Sequence, residues 1–145
     1  MLLRGSLLLL ALMVCAGCGQ KGPSLTQVRG VVRINGQPAE RVAVGFHHTD
    51  PSMKGNAAHP CAVTDANGQF SMSTNADGDG ATTGEYRVTF IWWSDPDPDK
   101  AKDLLAGAYA DQIKSTIKVK VGEASNDLTP FELKTDPAQV KKFVK

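Results

Sequence analysis

The chain has 145 residues, enough for one domain, with 16 Lys and Arg against 15 Asp and Glu and a formal charge of +1. Such a balance supplies no strong field and argues against nucleic acid as a partner. With 14 Gly, 8 Pro and 6% aromatic residues, the composition suits a turn-rich β domain.

The opening stretch, MLLRGSLLLLALMVCAGCGQ, reads as an export signal. Arg4 gives a positive n-region, residues 7–14 are an unbroken apolar run, and small residues follow. A membrane-spanning helix needs about 20 apolar residues, so this run is too short to be one. Ala16 and Gly17 before Cys18 resemble the lipobox of bacterial lipoproteins, with Cys15 where that family usually has Leu. The resemblance implies a signal peptide over 1–17, acylation of Cys18 with palmitate among its chains, and a membrane as partner. Each buried CH₂ of such an anchor is worth about 0.8 kcal/mol. Gly19 after the anchor, in place of Asp, implies by resemblance to bacterial sorting rules an exported protein held at the outer membrane. CAGC also has CxxC spacing, but within a signal segment that is no redox motif. With Cys15 removed and Cys18 acylated, Cys61 stands alone. It is expected as a small buried hydrophobe, with no internal disulfide.

Residues 18–25 form a polar, Gly- and Pro-containing tether, and residues 26–135 carry the domain. Val28, Val32 and Ile34 fall on one face with Arg29 and Arg33 on the other, a period of two. Asn35-Gly36 then signals a hairpin into residues 41–48, where Val42, Val44 and Phe46 point inward. A loop over 49–59 precedes a short strand at 61–64, an Asp65-Ala-Asn-Gly68 turn and a strand at 69–74. The Asp/Gly turn of 75–84 feeds the most apolar strand, 85–93, with Tyr86, Val88, Phe90 and Trp92 on one face. Asp95-Pro-Asp-Pro-Asp99 ends it, because proline cannot donate to a ladder. The spacing of Ala101, Leu104, Leu105 and Ala108 predicts a short helix from Pro98 to about Ala106. Strands follow at 115–121 and 128–134, and residues 136–145 form a basic tail expected to fray. The fold class is all-β: about seven strands in an antiparallel β-sandwich, with one short helix.

Three stretches carry a further resemblance. GVVRINGQPAERVAVGF is similar to the opening hairpin of carboxypeptidase-regulatory-like (transthyretin-like) domains. VTDANGQFSMST resembles their second signature, and GDGATTGEYRVTF the third, in which Gly80 and Gly84 lead a Tyr-x-Val strand. The resemblance covers roughly residues 26 to 93, with strand lengths agreeing to about 134. It implies a fold and not a reaction. One transthyretin-like hydrolase of purine breakdown ends in Tyr-Arg-Gly-Ser, which is missing here, so its activity is not carried over.

Asn75, Asp77, Asp79 and Gly80 begin like a calcium loop, with oxygen ligands at alternate positions and then a glycine. The closing carboxylate belongs at Tyr86, and Glu85 stands one residue short of it. The competing reading is a tight turn with a solvated Glu85. His47, His48, His59 and Cys61 invite a metal reading. Neighbours in a strand face opposite ways, so His47 and His48 do not share an ion, and Pro60 separates His59 from Cys61. Neither GxSxG nor HExxH occurs, and no enzyme is expected. Residues 77–111 hold eight acids and three bases, and residues 112–145 hold seven lysines and four acids. That segregation allows a contact pole toward a protein or anionic headgroups, or simply a mixed solvated surface. The expected function is a non-catalytic structural or interaction module at the envelope. The alternative is a calcium-stabilised or small-molecule or metal-ion binding protein, with a concave site beside Trp93 or His59.

Overall fold

Alternating apolar runs bury one face only if a second layer covers it, and here two sheets cover each other. The computed structural model describes residues 22–143; the signal segment, Cys18 and the first part of the tether lie outside the described residues. In chain order the strands are β1 (Leu25–Thr26), β2 (Val28–Ile34), β3 (Gln37–Pro38), β4 (Val42–His48), β5 (Cys61–Val63), β6 (Gln69–Ser71), β7 (Ala81–Thr82), β8 (Gly84–Trp92), β9 (Lys118–Val121), β10 (Asn126–Asp127) and β11 (Phe131–Leu133), followed by helix α1 (Pro137–Phe143). The seven strands of three or more residues fall in the seven expected runs. β1, β3, β7 and β10 are two-residue additions.

One sheet is built on β2, which carries β6 and β3 along one edge and β10 and β11 along the other. The other runs β5-β4-β8-β9 and is antiparallel throughout. β10 and β11 pair with β2 in parallel, the exception to an otherwise antiparallel fold. Between the sheets, Val28, Val32, Ile34, Phe70 and Met72 meet Val42, Val44, Phe46, Tyr86, Val88 and Phe90. Burying each large side chain of this set stabilises by roughly 1.5–3 kcal/mol before entropy is counted. Tyr86 keeps its hydroxyl satisfied by donating to the Thr82 carbonyl at 2.8 Å.

Gly80 is a close-approach residue. At φ +99° an added Cβ would sit 2.0 Å from the Thr26 carbonyl oxygen, so only glycine lets the 75–84 turn pass under β1.

Four expectations are corrected. Asn35 (φ 52°) and Gly36 (φ 80°) do make a two-residue hairpin turn, but it joins β2 to β3. β2 and β4 lie in different sheets. After Pro38 the chain crosses over, Ala39 is buried, and the Thr64 hydroxyl donates to the Ala39 carbonyl (2.6 Å) while accepting the Val42 N–H (2.9 Å). Residues 98–106 form turns, not a helix. Asp103 accepts the Trp92, Leu105 and Gly107 N–H groups, and Leu104 N–H donates to the Trp92 carbonyl. Backbone groups that a helix needs are bonded to the end of β8 instead. The α-helix lies in the tail, where Asp136 accepts the Ala138 N–H at 2.9 Å and Pro137 opens the first turn. Cys61 is exposed, because the alternation of the edge strand β5 turns Ala62 toward the core and Cys61 outward.

Candidate functional site

β5 and β6 are consecutive strands that join opposite sheets. Cys61 and Ser73 exchange two backbone bonds (3.0 and 2.9 Å), and Asp65 N–H donates to the Gln69 carbonyl. The Asp65 carboxylate holds the turn between them by accepting the N–H groups of Asn67 and Gln69. Ala62 and Thr64 point inward, which leaves Val63 outward and 61% exposed. A cleft of about 860 Å³ opens here, with Val31, Cys61, Val63 and Leu128 as apolar lining and Arg29, Asp65, Asp77 and Asp127 as charged lining. A second cavity of about 420 Å³ lies beside Trp93, between Arg41, Asp95 and the prolines of the 95–99 segment. Val63 lines both.

The charges of this surface are unevenly committed. Arg29 donates to the Gln27 side chain at 2.7 Å, and Arg41 pairs with Glu40 at 3.3 Å. Asp95 accepts the Asp97 N–H. Asp77 and Asp127 have no ion pair among the described residues. The surface therefore offers free carboxylates around an apolar centre.

The calcium candidates do not converge. Both oxygens of Asp79 are spent inside the turn, on the N–H groups of Thr74 (2.6 Å), Ala76 (2.9 Å) and Asn75 (3.0 Å). Partial burial alone would raise the Asp79 carboxyl, and those N–H groups outweigh it, holding the group below its ordinary value. Asn75 accepts from Asn56 at 3.5 Å, Asp77 lines the cleft, and Glu85 stands on β8 opposite Lys120. Among the described residues no three His, Cys, Asp or Glu gather as a metal site.

The histidines separate as adjacent strand residues must. His48 accepts the Asp50 N–H on Nδ1, donates from Nε2 to the Thr83 carbonyl, and packs edge-on against Tyr86 at 4.7 Å. His47 turns the other way and meets His59, their Nδ1 atoms 3.3 Å apart. Burial, and secondarily the neighbouring His59, lower the His47 pKa. The sequence offered no spacing that pairs these two. They are brought together by extending the β4–β5 register by two residues past Gly45↔Cys61. Val63 was missed as well. A strand of three residues is the available hint, because short strands commonly serve as sheet edges.

No family profile and no curated protein sequence matches the chain. Among solved structures it is similar to the major pilin subunit of Bacillus cereus, at 13% identity and a TM-score of 0.46 over 79% of this chain and 30% of the pilin. It is also similar to a 9R-lipoxygenase from Cyanothece PCC8801 (17% identity, TM-score 0.41, 79% of this chain and 17% of that one). A third is the dioxygenase domain of a dioxygenase carbohydrate-binding protein fusion from Streptomyces sp. SirexAA-E (19%, TM-score 0.40, 81% and 84%). The chain thus spans less than a third of the first two. Likeness at this level concerns the β-rich fold and assigns no chemistry.

Proposed function

We propose that the chain is a bacterial envelope lipoprotein, anchored by acyl groups on Cys18, whose carboxypeptidase-regulatory-like sandwich is a non-catalytic docking module. The surface centred on Val63 is its contact face, and the partner is a polypeptide segment carrying Lys or Arg. The observation that carries the reading is the shared position of Val63. A large exposed apolar side chain lies between two cavities, with Asp77 and Asp127 free of internal ion pairs beside it. Apolar centres with charged surroundings are the usual anatomy of a protein contact. The anchor is supported by residues 1–18 as a sequence, and the outer membrane by Gly19.

The test uses a photo-crosslinking residue at position 63 of the full chain in its native envelope, with position 120 on β9 as control. A discrete adduct at 63, absent at 120 and reduced by Asp77→Asn with Asp127→Asn, is expected. An adduct indifferent to the two carboxylates, or equal at both positions, overturns the docking face. Labelled palmitate retained by a Cys18→Ser variant overturns the anchor.

A further inference from the structure

We propose that His47 and His59 form a two-imidazole site for a tetrahedral late first-row divalent cation, Zn²⁺ being the ion that fits. Neither histidine lines the two cavities of the docking face, and the site does not depend on it. Zinc–imidazole bonds of about 2.0–2.1 Å at a tetrahedral angle place two ligand nitrogens roughly 3.3–3.4 Å apart. The two Nδ1 atoms stand 3.3 Å apart, long for a hydrogen bond between nitrogens and matched to that bite.

The rest of the pocket supports ligation by His47. Its Nε2 lies 2.9 Å from the Thr89 hydroxyl, and that hydroxyl donates to the Gly45 carbonyl at 3.5 Å. In the tautomer that carries its proton on Nε2, His47 donates to the Thr89 oxygen and presents the Nδ1 lone pair toward His59. This is how a ligating histidine is oriented: the far nitrogen is held by a fixed polar group while the near one is free to bind. Gly45 makes the arrangement possible. A Cβ there would lie 2.7 Å from the Thr89 hydroxyl and 3.2 Å from His47 Nε2, so a side chain would displace both. His59 is exposed and gives the ion access from solvent. Because no third His, Cys, Asp or Glu among the described residues joins the pair, water completes the coordination. Such a site exchanges its ion instead of burying it as a structural zinc.

Zinc titration of the full chain, made without a polyhistidine tag, tests this by calorimetry and by the imidazole ¹⁵N resonances. One equivalent is expected to bind and to shift the Nδ1 signals of His47 and His59. His59→Ala, at an exposed position that leaves the core intact, is expected to weaken binding about tenfold or more, while Cys61→Ser leaves it unchanged. Equal affinity in wild type and His59→Ala overturns the site. So does zinc that perturbs neither imidazole, or binding lost in Cys61→Ser alone.

Discussion

β8 and β5 belong to the same sheet, both read as strands from apolar alternation, and have opposite fates. β8 lies between β4 and β9, and Tyr86, Val88 and Phe90 are completely buried. β5 has β4 along one side and only the backbone pairing of Cys61 with Ser73 on the other, and Val63 stands 61% exposed. The difference is one of cover. Tyr86, Val88 and Phe90 point between the sheets of a central strand, whereas Val63 points to the outer face of a strand at the sheet edge, where neither the facing sheet nor a further full strand covers it. Burial is therefore concentrated in β8, and the contact face proposed above lies along β5.

Substitutions on the two strands should separate accordingly. Phe90→Ala is expected to cost about 3–5 kcal/mol in chemical denaturation, through lost burial and the cavity left between the sheets. A cost below about 1 kcal/mol would mean that β8 is not the centre of the core. Asp79→Asn, in the turn that feeds β8, should cost about 1 kcal/mol at neutral pH, at the low end for charge-assisted bonds because the carboxylate is close to solvent. Its folded pKa is lowered, so the carboxylate's contribution is complete above the unfolded value near 4 and is lost as pH falls through the folded value. Wild type and variant should then converge in acid; a gap that persists there would assign the effect to packing. Val63→Ser should change stability by no more than about 0.5 kcal/mol while abolishing the crosslinked adduct. A destabilisation like that of Phe90→Ala would erase the contrast between edge and centre.

Much of the strand map was legible because alternation is local. Tyr86, Val88 and Phe90 announce their shared face by spacing alone, and the seven expected runs all carry strands. Where prediction failed, a distant partner had outbid a local preference. Residues 98–106 have helical spacing, yet Asp103 and the end of β8 take their backbone groups. Asn35-Gly36 turns the chain as expected, but only for β3, since Val42 finds its ladder with β8 and β5. Cys61 looked like a buried thiol because the sequence does not say which strand is last in its sheet. The carboxylates of the calcium-like spacing at 75–80 are not brought together, for a related reason: Asp79 satisfies three nearby N–H groups, which no periodicity reports.

The sequence by itself determined which seven runs carry the longer strands, which faces are apolar and which turns need glycine. Those follow from backbone sterics and the two-residue period of the pleat. It also carried the whole case for the lipid anchor. Only the tertiary structure decided that β2 and β4 part into different sheets, that β5 is an edge with Val63 outward, and that His47 meets His59 across twelve positions of chain. Those are matters of long-range pairing, settled by which contacts together repay the entropy of closing the loops between them.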